Sequence, residues 1–257
     1  MARIDDAAYL RADQYRTVEN LDARIRFHDR FSTNPQRWPR WVFERLHAGP
    51  SARILEVGCG SGSLWEENRS RVPAGWKVVL SDFSPGMAAQ ARNLSFPVAV
   101  LDVQALPFPE LWFDAVIANH MLYHVPDRPR ALAAIRRVLR PGGRLYAATG
   151  GRDQFHELID LVRRFDPGLV LWEGRGPDSF LLETGHEQLA PGFSDVRLHR
   201  YDDSLVVTEA EPLVAYVASK VALPEKAAFT RFVEEEMRRL GGSLRISKDY
   251  GLFEAVV

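Results

Sequence analysis

ILEVGCGSG, residues 54–62, decides the fold. An apolar run of strand composition closes on a turn holding Gly58, Gly60 and Gly62, and Glu56 stands two residues before the first glycine. Such a turn can cradle the pyrophosphate of a dinucleotide on the next helix, or admit a nucleoside that carries no phosphate. The dinucleotide fingerprint wants its third small residue one position after Gly62, where Ser63 stands. Glu56 would put negative charge beside a phosphate and suits a ligand with an amino group.

Outward from this turn the chain alternates. RILEVG (53–58), KVVLSD (77–82), VAVLDV (98–103), FDAVIANH (113–120) and GRLYAATG (143–150) are short runs rich in valine, isoleucine and leucine. Helical stretches separate most of them: SPGMAAQARN offers Ser84 as N-cap and Pro85 in the first turn, and DRPRALAAIRRVLRPGG stops on Pro141 and two glycines. Near-continuous apolar strands between helices predict an α/β, Rossmann-like, doubly wound sheet, mostly parallel and covered on both faces.

Ahead of the first strand, Leu10, Tyr15, Val18, Leu21 and Ile25 recur at three- and four-residue steps, which predicts an amphipathic helix over 7–31. A second helix over 35–46 carries Trp38, Trp41, Val42 and Leu46 on one side. After Gly150 the alternation loosens into a helix over 154–165, a bent strand over 196–207, two further helices and a strand over 246–257. No repeat or long linker divides the chain. The expected organisation is one domain over 1–257: a helical lid in 1–50, a ligand-binding core in 51–150, and a second lid with the final strands in 151–257.

Thirty-three basic residues against 34 acidic ones leave a net charge of −1, which gives a nucleic acid or an anionic membrane no electrostatic support. Only four of the basic residues are lysines, a bias that hints at a GC-rich bacterial genome. Cys59 is the single cysteine, so a reducing compartment is expected. With no histidine nearby in sequence to activate it, Cys59 reads as a small residue in a tight turn. The first twenty residues lack the apolar core of a signal peptide, and no run approaches a membrane span. A cytoplasmic protein is expected, its oligomeric state left open.

In an open parallel sheet the ligand sits at the carboxyl ends of the strands. The informative residues stand there: Glu56 and the glycines after the first strand, Asp82 after the second, Asp102 after the third, Asn119 and His120 after the fourth. ILEVGCGSG, LSDFSPGM, LDVQALPFPELWFDAVIANHMLYHVPD and RVLRPGGRLY follow one another in order and spacing that resemble the class I S-adenosylmethionine-dependent methyltransferases, small-molecule branch. The resemblance covers about 50–150.

The resemblance implies seven strands with the last antiparallel, and S-adenosylmethionine as cofactor. It assigns Gly58, Gly60 and Gly62 to the turn that lets backbone approach the methionine part and ribose, and Glu56 to the amino end of that part. Asp82 would take both ribose hydroxyls, since one carboxylate can accept two hydrogen bonds from a vicinal diol. Phe83 would pack on the adenine with Met87 of the same motif, Asp102 would accept from the adenine amino group, the Val103 backbone would meet the ring, and Asn119 would complete the pocket near the sulfonium.

A methyl sulfonium is already electrophilic, so the protein must mainly align an acceptor and exclude water; a hydroxyl acceptor more often needs a base. NHMLYHVPD supplies His120, Tyr123 and His124 where the methyl should project. The histidine spacing also suits a metal, but Asp127 is the only nearby carboxylate and no metal is expected. Tyr9 and Tyr15 on the first helix and His156 in the second lid are candidate acceptor contacts. The expected reaction is methyl transfer to oxygen or nitrogen of a small molecule, in bacterial natural-product biosynthesis. Carbon methylation of a quinone-like ring, and cofactor binding without methyl transfer, are the alternatives.

Overall fold

The computed structural model describes residues 18–171 and 178–257. Tyr9 and Tyr15, expected at the acceptor site, lie outside the described residues. Seven strands among those described form one sheet: β1 (Arg53–Val57), β2 (Lys77–Asp82), β3 (Val98–Val100), β4 (Phe113–Asn119), β5 (Leu139–Gly150), β6 (Ser194–Val207) and β7 (Leu244–Val256), in the order β3-β2-β1-β4-β5-β7-β6. The first five pair in parallel, and β7 runs antiparallel to both β5 and β6. The expected mostly parallel sheet with an antiparallel last strand is what forms. Because β2 lies on one side of β1 and β4 on the other, the strand order reverses at β1 and a crevice opens past its carboxyl end.

The alternation of side chains along each strand explains why these runs read as solidly apolar. Ile54 and Leu55 are both fully buried yet enter different cores, Leu55 with Val116, Leu145 and Ile135, and Ile54 with Leu80, Ala115 and Trp65. A third core lies away from the parallel strands, where Phe27 and Phe31 of α1 (Val18–Phe31) meet Phe155, Leu213, Phe229 and Ile246.

Local chemistry sets the boundaries. Ser84 caps α4 (Pro85–Ala91), accepting the Met87 N–H at 3.3 Å with Pro85 in the first turn, as its sequence predicts. The run VAVLDV stops being strand at Val100, because the Asp102 side chain accepts the Gln104 N–H at 2.9 Å and caps a short 3-10 turn over Val103–Ala105. Helix α5 (Arg128–Val138) stops before the Pro-Gly-Gly expected to end it, and that tripeptide is absorbed into β5, which starts at Leu139 rather than at Gly143. Asp127, the lone carboxylate near the histidines, caps α5 through the Arg130 N–H at 3.1 Å.

Helix α1 is fixed over the strand ends by one buried carboxylate. Asp203 on β6 accepts the Thr33 and Asn34 N–H groups at 3.0 Å, the Ser32 hydroxyl and the Lys248 ammonium. The lysine and aspartate side chains are 3% and 0% exposed. That cluster holds the chain leaving α1 against β6 and β7, so that α1 and α2 (Trp38–Phe43) stand above the sheet's carboxyl edge.

Candidate active site

The glycine turn is held by the neighbouring strand. Cys59 N–H bonds to the Ser81 carbonyl at 2.9 Å, and Gly60 N–H donates to Asp82 Oδ2 at 2.8 Å. Ser84 N–H takes Asp82 Oδ1, also at 2.8 Å. Gly58, Gly60 and Gly62 all have positive φ, at 67°, 57° and 84°. Two of them are also needed for packing within the protein. A Cβ on Gly58 would meet Met121 Cβ at 2.7 Å, so this glycine lets the first loop touch the turn after β4. A Cβ on Gly62 would meet Leu94 Cδ1 at 2.4 Å. Gly62 caps α3 (Ser63–Glu67) and stands off the cavity wall, so helix packing accounts for its place.

A cavity of about 890 Å³ runs from this loop beneath α1 and α2. Its wall includes Glu56, Gly58, Gly60, Asp82, Phe83, Met87, Asp102, Val103, Asn119, His120, Tyr123 and His124, gathered from the carboxyl ends of β1 to β4 as expected. Burial pushes the Asp82 carboxyl above its ordinary value, against the backbone N–H groups of Ser84, Gly60 and Phe83. Glu56 is 1% exposed; burial raises its carboxyl to about 8, opposed by the Trp65 indole N–H, which donates to Oε2 at 2.6 Å. Burial, with Glu56 and Asp82 nearby, pushes the Cys59 thiol well above its ordinary range, so the thiol stays protonated and is no nucleophile.

The other end of the cavity is aromatic. His120 has a left-handed backbone, φ 55°, and its ring centre lies 4.6 Å from Tyr250 and 5.0 Å from Trp38. Trp38 donates its indole N–H to Asn119 Oδ1 at 3.1 Å, tying α2 to the end of β4. His124 packs edge-on against Tyr123 with centres 4.5 Å apart. His156 is elsewhere. It opens α6 (His156–Phe165), whose buried face is Leu158, Leu161 and Val162, and its half-exposed ring sits 3.3 Å from Glu157 off the cavity wall.

Sequence reading missed His28, Gln154, Phe155, Lys248 and Tyr250, all on this wall. Two carried a usable signal: His28 continues the Ile25 side of α1 at a step of three, and Gln154 follows the end of β5. Among the described residues no cluster of three or more His, Cys, Asp or Glu could hold a metal. No described helix is long and apolar enough to cross a membrane.

A family model described as a methyltransferase domain matches residues 55–147, from β1 into β5. The chain carries a class I S-adenosylmethionine-dependent methyltransferase domain. The chain is 33% identical over 114 residues to the ubiquinone/menaquinone biosynthesis C-methyltransferase of Bordetella avium, covering 42% of this chain and 44% of that one. It thus spans under half the length of that relative. Among solved structures, it superposes on phosphoethanolamine N-methyltransferase 2 of Haemonchus contortus in complex with S-adenosyl-L-methionine, with TM-score 0.59, 18% identity, and coverage of 100% of this chain and 60% of that one. It superposes on the [4+2]-cyclase SpnF with TM-score 0.57 and 20% identity, covering 100% and 97%. At these identities the structures share its fold.

The wall of the cavity fits S-adenosylmethionine. Asp82 Oδ2 accepts the Gly60 N–H and Oδ1 the Ser84 N–H, which fixes both oxygens at the cavity wall where a vicinal diol can meet them. Glu56 faces the cavity as an acceptor with Oε1 outside the Trp65 bond, beside the loop where an ammonium would lie. Phe83, Met87 and Val103 supply apolar surface between Asp82 and Asp102 for a flat base.

Proposed function

We propose that the chain transfers the methyl group of S-adenosylmethionine to an oxygen or nitrogen of a small-molecule acceptor. One observation carries this reading: the diol-binding carboxylate of Asp82 and the aromatic, histidine-bearing end beneath α1 open into one cavity. A donor and an acceptor inside one cavity can be aligned and shielded from water, which is most of what methyl transfer requires. The bound cofactor supplies an electrophilic methyl on a sulfonium.

The residues take these roles. Asp82 holds the ribose hydroxyls, Phe83, Met87 and Val103 pack on the adenine, and Asp102 accepts from its amino group while Gln104 holds the carboxylate at 3.0 and 3.1 Å. Gly58 and Gly60 let the backbone approach the methionine part, and Glu56 receives its ammonium. Asn119 closes the pocket near the sulfonium. His120, Tyr123 and His124 face the acceptor, either histidine able to take a proton from a hydroxyl. The natural setting we assign is bacterial specialised metabolism in the cytoplasm.

A second reading, carbon methylation of a quinone-like ring, is supported by the C-methyltransferase activity of the Bordetella avium relative and by the aromatic lining around His120. The fold shared with SpnF supports a third, a cofactor-retaining protein of other activity. Incubation with trideuteromethyl cofactor and a panel of phenols, amines and hydroquinones separates them. A three-deuteron label on oxygen or nitrogen sustains the proposal, a label on ring carbon selects the second reading, and no label on any acceptor with cofactor bound selects the third.

A further inference from the structure

The aromatic end of the cavity carries two buried polar atoms that no described protein group engages. His28 Nδ1 and Gln154 Nε2 have no hydrogen-bond partner among the described residues. Gln154 is 1% exposed, and its amide orientation is fixed: Oε1 accepts the Asp249 N–H at 2.6 Å, so Nε2 is a donor. Burial, with Lys248, Lys220, His120 and Arg24 around it, holds His28 well below the usual imidazole range, so the ring is neutral and one nitrogen can accept. An orphaned buried donor and an orphaned imidazole nitrogen are costly in a folded core and call for a ligand's polar atoms.

Rings surround both. His28 stacks on Phe155 with centres 5.6 Å apart and planes 17° apart, and meets Tyr216 and Tyr250 at 5.8 and 6.2 Å. Phe155, next in the chain to Gln154, is held left-handed at φ 59°, as His120 is across Tyr250, so two strained non-glycine residues frame this end. We propose that His28 and Gln154 are the polar anchors of the acceptor site, and that the acceptor is a planar aromatic ring carrying a hydroxyl. A hydroxyl matches both atoms, donating to a neutral His28 and accepting from Gln154. The aromatic walls supply faces and edges for the ring. This assignment rests on the methyl-transfer reading, since it takes the Asp82 end to be filled by the cofactor.

Fluorescence titration of the full chain, saturated with S-adenosylhomocysteine, tests it with three probes: naphthalene, 1-methoxynaphthalene, which only accepts, and 1-naphthol, which donates and accepts. Affinity is expected to rise in that order, by roughly 5- to 10-fold per hydrogen bond. Gln154→Met removes the donor at nearly the same side-chain length; it is expected to bring 1-methoxynaphthalene down to naphthalene. His28→Phe keeps the stack and is expected to bring 1-naphthol down to 1-methoxynaphthalene. Equal binding of the three probes by the wild-type chain overturns the assignment even if a variant misfolds, and so does an unchanged order in two folded variants. Wild-type chain that fails to bind S-adenosylhomocysteine overturns the methyl-transfer reading and this assignment together, whereas bound S-adenosylhomocysteine with a flat probe series removes only the anchors.

Discussion

The Gly60 N–H reaches Asp82 Oδ2 at 2.8 Å, so the carboxylate proposed to receive a ribose also pins the glycine turn to the neighbouring strand. Binding and preorganisation therefore share one side chain. Asp82→Ala is expected to weaken S-adenosylhomocysteine by about 1–3 kcal/mol, the usual cost of losing hydrogen bonds to a charged group. It should also lower the melting temperature of the free protein, because Gly60 and Ser84 lose their acceptor. Calorimetry and thermal unfolding read the two separately; unchanged affinity would remove Asp82 from the ribose.

Glu56 makes the free protein's stability depend on pH. Its carboxyl rises from 4.5 to about 8 in the folded state, so the folded chain binds the proton more tightly than the unfolded one. The stability it contributes is complete below pH 4.5 and is lost as pH rises through about 8. Urea unfolding between pH 5 and 8.5 should show this decline in the wild type, and a shallower one in Glu56→Gln, whose amide oxygen can still accept from Trp65. Parallel slopes would contradict the assignment.

If His120 or His124 takes the acceptor's proton, its replacement by alanine should cut turnover by roughly 10²-fold or more, with S-adenosylhomocysteine affinity near wild type. His120→Gly removes the same ring and relieves the left-handed backbone at φ 55°, so it should be the more stable of the two His120 variants. Full turnover in both alanine variants would leave alignment alone as the source of rate.

The Asp203–Lys248 pair predicts an asymmetry. Removing one partner of a buried pair costs roughly 3–5 kcal/mol when the other is left uncompensated. Lys248→Met leaves Asp203 with Ser32, Thr33, Asn34 and Ser204 as donors, while Asp203→Leu strands the ammonium and takes the acceptor from the Ser32 hydroxyl and the Asn34 N–H. Chemical denaturation should find Asp203→Leu clearly the more damaging. It should also raise the acceptor KM, because the chain leaving α1 loses its anchor.

Gly58→Ala would force a Cβ to within 2.7 Å of Met121 Cβ on a backbone at φ 67°. The expected loss is about 1–3 kcal/mol, in the range for overpacking a closed site. Reduced turnover should accompany it, since the turn bearing His120 and His124 must move. Unfolding and steady-state kinetics measured together test that coupling.

What the sequence determined by itself is the part written in local periodicity. Two-faced apolar strands, Ser84 and Pro85 at a helix start, and acidic residues at successive strand ends specify the sheet and the cofactor end of the cavity, because each signal spans a few neighbouring residues. Only the tertiary structure decided the aromatic end. His28, Gln154 and Tyr250 meet there from far apart in the chain, brought together by α1 and the antiparallel β7, and nothing in their immediate neighbours announces the meeting. The same holds for two glycines whose smallness serves Met121 and Leu94, and for His156, which helical phase carries off the wall. Strand pairing and helix docking bury chemistry that short-range pattern cannot encode, because burial and contact are properties of segments folded against one another.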